Sequence, residues 1–136
     1  MSTIDLSPLG DAIVQLDAGI REAERYPNHE LLRDGVIQRF EYSHELGLKF
    51  LRRVLETIFG DDVDRAPYNE ILRSAAEREL IKDVESWFAY RSARNKTSHT
   101  YDARVAIEVY KVAQQFLPDV TYLFTRLNDV VSAASA

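Results

Sequence analysis

The sequence predicts an all-α protein, an antiparallel helical bundle of about five helices. Three observations predict it. Apolar residues recur at three- and four-residue steps through every long segment, which lines them along one face of a helix. No stretch alternates apolar and polar residues with period two over a useful length. Five Gly and four Pro in 136 residues are too few for a fold of many tight turns, or for a disordered chain. Without an internal repeat, low-complexity linker or compositional break, residues 1–136 are expected to form one domain, with its core over about 7–131.

The elements follow in order. Ser7-Pro8 reads as an N-cap followed by Pro at the first helical position. Leu9, Ile13, Leu16, Ile20 and Ala23 then mark one apolar face, and Tyr26-Pro27 ends the helix, because the residue before Pro avoids the α region. Asn28 is positioned to cap a long second helix running to Phe59, with Gly60 as its stop. Two adjacent rows line that helix. One is Leu32, Val36, Phe40, Ser43, Gly47, Leu51, Val54 and Ile58; the other is Ile37, His44, Leu48 and Leu55. So wide an apolar arc suits the central helix of a bundle, and the small Ser43 and Gly47 suit a close crossing. After a polar turn, Pro67 opens a short helix with Tyr68, Ile71, Leu72 and Ala75. Asp83 caps a fourth helix carrying Val84, Trp87, Phe88 and Tyr90. A last helix starts near Tyr101–Asp102 with Val105, Val109, Val112, Phe116 and Leu117. Pro118 is expected to kink or split it before Val120, Leu123, Phe124, Leu127 and Val131 continue the face. The final residues, 132–136, are expected to fray.

Composition excludes several classes of function. The chain is 46% hydrophobic and 29% charged, enough to bury a core without a staple. It has no cysteine, so a disulfide scaffold, thiolate metal sites and a cysteine nucleophile are excluded, and a reducing cytoplasm is the expected compartment. No apolar run approaches the ~20 residues that span a bilayer, and Met1 to Pro8 lacks the pattern of a secretory signal. Net charge is −5, which weighs against broad, unspecific nucleic-acid binding. The charge is uneven, however. Residues 82–104 hold five basic against three acidic residues, a modest +2 island in a body carrying −7.

The three histidines differ in setting. His29 falls in the first turn of the long helix and reads as a solvated surface residue. His44 falls on an apolar row, as a hydrogen-bonded core histidine does. Glu41 and Glu45 form a possible carboxylate pair, but a di-metal bundle needs Glu-x-x-His motifs on other helices, and the sequence has none. No metal is therefore expected. His99 lies in the polar run Arg94-Asn95-Lys96-Thr97-Ser98-His99-Thr100-Tyr101-Asp102 between two amphipathic helices. On a continuous helix Arg94, Ser98 and Tyr101 would share one face, with Asn95, His99 and Asp102 on the next. A solvated, capped helix junction is the common fate of such a run. Its residues also hold chemistry. Arg is a permanently charged fork matched to phosphate oxygens. His exchanges a proton near neutral pH. Together they suffice for metal-independent RNA cleavage. His would assist attack by the 2′-OH or protonate the 5′-oxygen, and Arg would stabilise charge on the reacting phosphate. One His cannot easily do both jobs, and a homodimer would bring a second Arg–His pair to the cleft.

Arg94-x4-His99-x-Tyr101 matches the R-x4-H-x-Y motif of HEPN ribonuclease toxins of the HepT kind. Arg33-Asp34-Gly35-Val36-Ile37-Gln38-Arg39-Phe40-Glu41-Tyr42 with Glu45-Leu46 also resembles the long-helix signature of the nucleotidyltransferase substrate-binding protein family. Arg94-Asn95 followed by Ser98-His99-Thr100-Tyr101-Asp102 resembles its second signature. The resemblance runs from about residue 9 to 127. One departure is Gly47-Leu48, where many relatives carry Ala-Trp before the Lys; it touches packing only.

The resemblance implies a helical bundle that dimerises with both motifs facing a shared cleft. It implies Arg94 and His99 as the catalytic pair, and Asn95 as the polar residue beside the Arg; Lys96 joins Asn95 as a substrate-binding candidate. Tyr101 is implied as the tyrosine that a cognate minimal nucleotidyltransferase, the antitoxin, modifies with AMP. The chain itself would need no cofactor, while that partner would use ATP and Mg²⁺. The function implied is a toxin endoribonuclease acting on RNA, silenced by its partner. The alternative is a non-catalytic substrate-binding subunit of a nucleotidyltransferase.

Overall fold

The computed structural model describes residues 4–135; residues 1–3 and 136, which fall within the terminal segments considered above, lie outside that range. The described residues fold into five α-helices: α1 (Ser7–Arg25), α2 (Glu30–Thr57), α3 (Tyr68–Glu77), α4 (Val84–Asn95) and α5 (Ala103–Ser135). A single 3₁₀ turn, Thr97–His99, joins α4 to α5. Among the described residues there is no strand, and no helix is long and apolar enough to cross a membrane.

The apolar periodicity decides the packing. α1 buries Leu9, Ala12, Ile13, Leu16, Ile20 and Ala23 and lies chiefly along α2. α2 buries Val36, Ile37, Phe40, Ser43, His44, Gly47, Phe50, Leu51, Val54 and Leu55, an arc wide enough to meet α1 on one side and α5 on the other. α3 and α4 close the remaining side through Ile71, Leu72, Trp87 and Tyr90. Each fully buried side chain of this size contributes about 1.5–3 kcal/mol through the hydrophobic effect. At the centre Phe40, Trp87, Tyr90 and Phe116 stack edge to face, with ring centroids 5.1–5.5 Å apart.

Several expected boundaries shift for identifiable reasons. α1 begins at Ser7 itself, and the cap comes from upstream: the Asp5 carboxylate accepts from the Ser7 amide at 3.0 Å and from its hydroxyl at 2.7 Å. These two bonds hold the Asp5 carboxyl below its ordinary range. α2 is capped by His29, not Asn28, because imidazole Nδ1 accepts from the Leu32 amide at 3.3 Å. Gly60 stands at φ +72° as expected, and the Asp61 amide turns back onto the Leu55 carbonyl at 2.9 Å. Pro118 does not split α5, which runs unbroken through Ser135 without the expected frayed end from 132. Pro118 is exposed, where a carbonyl deprived of its donor can be hydrated, and Phe116 and Val120 anchor both flanks in the core.

α3 ends on a stop that composition does not advertise. Glu79 takes φ +59°, the left-handed region that glycine usually fills, while the Leu80 amide bonds the Ala75 carbonyl at 2.9 Å. The Glu79 carbonyl is in turn held by the Tyr122 hydroxyl at 3.2 Å and Arg126 Nε at 3.0 Å, both from α5.

Gly47 lies in the α2–α5 crossing. A Cβ there would stand 3.5 Å from Leu123 and 3.8 Å from Val120, an ordinary contact. Gly47→Ala is therefore expected to stabilise the protein by up to about 1 kcal/mol, the helix-propensity difference. Urea denaturation measures it, and a lower midpoint would show that the crossing requires glycine.

Candidate active site

Trp87, Tyr90 and Ala93 fix the inward face of α4, so Arg94 emerges at the edge of the core, against α2. Glu41 and Glu45, one turn apart on α2, meet it there. Arg94 Nη1 lies 3.6 Å from Glu41 Oε2, and Nη2 donates to the Glu45 carboxylate. Nη1 also donates to Thr97 Oγ1 at 3.2 Å, and that hydroxyl donates back to the Arg94 carbonyl at 2.8 Å. The guanidinium is thus held in one orientation, with its side chain 29% exposed and its Nε buried without a partner. The two carboxylates considered as metal ligands are instead counter-ions of Arg94. Among the described residues no group of three His, Asp or Glu side chains is arranged to hold a metal.

The polar run is not one continuous helix. α4 stops at Asn95, and His99 and Asp102 amides bond back three residues, to Lys96 and His99 carbonyls, in 3₁₀ fashion. The run is thus a junction between two helices, as its position predicts, and the face-sharing that a continuous helix would give Arg94, Ser98 and Tyr101 does not apply. His99 and Tyr101 stand out together, with ring centroids 6.1 Å apart and planes at 74°. Tyr101 is 87% exposed, more than any other large hydrophobic or aromatic side chain described. His99 is exposed, and among the described residues no hydrogen bond, ion pair or ring contact joins it to Arg94. Asn95 is exposed beside Arg94. Lys96 reaches across to α5, where its Nζ is 2.8 Å from Glu108.

His44 lies under this surface as the expected core histidine. It is 4% exposed, with Nε2 3.0 Å from the Tyr68 hydroxyl and its ring among Phe40, Trp87 and Phe116. Burial pulls its pKa down to about 4; nearby Arg94 and Arg91 act in the same direction and Glu45 opposes them. Burial likewise raises the Tyr68 hydroxyl.

Beside Arg94 an open groove runs between α2 and α4. Its walls include Glu45, Leu48, Lys49 and Arg52 from α2, and Arg91, Arg94 and Asn95 from α4, with Tyr68 from α3. Sequence reasoning does not single out Lys49, Arg52 and Arg91. Their spacing within each helix is visible there, but the antiparallel register that brings the two rows together is not. A second concavity, lined by Tyr26, His29, Arg33, Tyr110 and Lys111, lies between the α1–α2 turn and α5 and contains none of the motif residues.

Comparison with known proteins bears on this arrangement. Residues 4–129 match the family model described as nucleotidyltransferase substrate binding protein like. The chain is 42% identical over 96 residues to a Haemophilus influenzae protein named probable ribonuclease HepT; the match covers 69% of this chain and 66% of that protein, just under two thirds of its length. In structure it resembles a Haemophilus influenzae protein described as having the fold of a substrate binding domain of a nucleotidyltransferase. The TM-score is 0.85 at 34% identity, covering 91% of this chain and 99% of that one. A Thermus thermophilus protein shares the fold with TM-score 0.65 at 24% identity, covering 82% of this chain and 98% of its own.

Proposed function

The chain belongs to the nucleotidyltransferase substrate binding protein like family, and within it we propose that this member is a metal-independent endoribonuclease toxin silenced by a nucleotidyltransferase antitoxin. The observation that carries the reading is the state of the motif: Arg94 is oriented by Glu41, Glu45 and Thr97, while His99 and Tyr101 project into solvent from the turn that follows it. The name of the Haemophilus relative supports it.

In this mechanism the 2′-OH of the RNA attacks the adjacent phosphorus, and the bond to the 5′-oxygen breaks. A 2′,3′-cyclic phosphate and a free 5′-hydroxyl result. Arg94 stabilises the charge that builds on the non-bridging oxygens, and His99 moves a proton to or from the reacting oxygens. A homodimer supplies the second histidine, so one removes the 2′-OH proton while the other protonates the leaving oxygen.

Silencing follows from Tyr101. Its hydroxyl attacks the α-phosphorus of ATP in the partner's active site, loses its proton to solvent and releases pyrophosphate. The attached AMP adds bulk and roughly one negative charge beside Arg94 and His99, which repels RNA. Incubation with ATP, Mg²⁺ and the cognate nucleotidyltransferase is expected to add adenylate mass to the wild type and not to Tyr101→Phe, which keeps cleaving. Equal adenylation of both, read by intact-mass spectrometry, refutes the assignment.

One observation favours a non-catalytic substrate-binding subunit: the guanidinium of Arg94 is already neutralised by two carboxylates. Induced expression separates the readings. Growth arrest by the wild type, relieved by His99→Ala and by the neighbouring nucleotidyltransferase gene, supports the toxin; arrest that is indifferent to His99 supports the binding subunit.

A further inference from the structure

We infer that the groove between α2 and α4 is a track for the backbone of single-stranded RNA, along which Lys49, Arg52 and Arg91 take phosphates next to the one held at Arg94. The identity of the substrate rests on the ribonuclease reading; the track itself rests on charge and register.

The chain carries −5 overall, yet beside Arg94, which Glu41 and Glu45 already neutralise, this groove gathers three further cations, Lys49, Arg52 and Arg91, and no other lining carboxylate. Among the described residues Lys49, Arg52 and Arg91 form no ion pair, whereas Lys96 is paired with Glu108 and Arg104 with Asp102 on the opposite flank of the motif. Cations able to exchange counter-ions for phosphates therefore lie on one side of Arg94 only. That asymmetry places the strand on the α2–α4 side of the motif.

The register makes the cations a row. Arg94 stands opposite Glu45, so Arg91, one turn back on α4, stands level with Lys49, and Arg52 extends the line. From Glu45 to Arg52 is about 10 Å along the helix axis. In-line attack by a 2′-OH on its neighbouring phosphorus requires a nucleotide freed from regular duplex stacking, so the strand on this row is single. Arg91 is also held in place: its guanidinium lies over the Tyr68 ring, 4.3 Å from the centroid. A cation already ordered loses less freedom on meeting a phosphate.

The test is binding of a short 2′-O-methyl oligoribonucleotide, which lacks the attacking hydroxyl, to the full chain by fluorescence anisotropy across a salt series. Lys49→Gln combined with Arg52→Gln should raise Kd about tenfold and flatten the slope of log affinity against log salt by about 1.4, the share of two phosphates on a single strand. The charge-keeping pair, Lys49→Arg with Arg52→Lys, should keep the wild-type slope. If circular dichroism shows the glutamine pair misfolded, Arg91→Gln, at an exposed position, should flatten the slope by about 0.7. No binding by the wild type, or an unchanged slope in the folded glutamine variant, overturns the track. So does loss of nucleotidyltransferase association with RNA binding intact, which would make the groove a protein-docking face. The two readings fail separately. Groove-dependent binding without cleavage removes the ribonuclease and keeps the track, while cleavage with an unchanged slope does the reverse.

Discussion

Replacing His99 by alanine is expected to lower RNA cleavage at least about 100-fold, the usual scale of a lost proton-transfer group. The fold should survive, because the side chain is exposed and no described residue hydrogen-bonds to it. Arg94→Ala should cost a similar factor through lost charge stabilisation. That variant also leaves Glu41 and Glu45 one turn apart without their shared cation, so its folding must be measured alongside. Cleavage by the wild type should persist in excess EDTA and leave 2′,3′-cyclic phosphate ends, read on a denaturing gel and by end-group analysis. Undiminished cleavage by either variant, or its abolition by EDTA, would contradict the mechanism.

The second large effect lies beneath the site. In the unfolded chain His44 takes up a proton near pH 6.5, whereas in the folded protein burial delays this to about pH 4. Stability from the neutral imidazole is therefore complete above about pH 6.5 and is lost progressively as pH falls toward 4. The unfolded state binds the extra proton throughout that window. Two and a half pH units correspond to about 3 kcal/mol. Urea denaturation between pH 4 and 7 should show this slope in the wild type and a flatter one in His44→Gln, which keeps a hydrogen-bonding group for Tyr68. Parallel slopes in the two proteins would show that His44 is not the titrating group.

Much of the fold is legible in the sequence because it is local. The three- and four-residue spacing of Leu9 to Ala23, the double row on α2, the Asp83 cap and the Gly60 stop each depend on a few consecutive residues, and the structure has them as expected. What is not legible depends on partners distant in sequence, or on residue types that rarely take the role. His29 as a cap and Glu79 in the left-handed region belong to the second kind. Pro118 leaves the helix unsplit because the cost of proline depends on which face of the helix it occupies. At the site, the polar run from Arg94 to Tyr101 stands out in sequence, but its break into a 3₁₀ turn does not. The carboxylates that orient Arg94 are the clearest case. Glu45 is 49 residues away, and spacing alone shows two carboxylates one turn apart without the cation that the fold sets between them. The long-helix signature and the motif are thus two halves of one ion-paired assembly.

The corner at Glu79 also sets an order of events during synthesis. A left-handed conformation at a non-glycine residue costs roughly 1 kcal/mol. Here the groups that clasp its carbonyl, Tyr122 and Arg126, are translated more than forty residues later. The same late helix brings Phe116 to the central rings, and Val120 and Leu123 to the crossing at Gly47. A ribosome that has made everything up to Asp102 has therefore joined every motif residue from Arg94 to Tyr101 without the helix that completes their support. The motif residues thus reach their folded setting only as the last helix emerges.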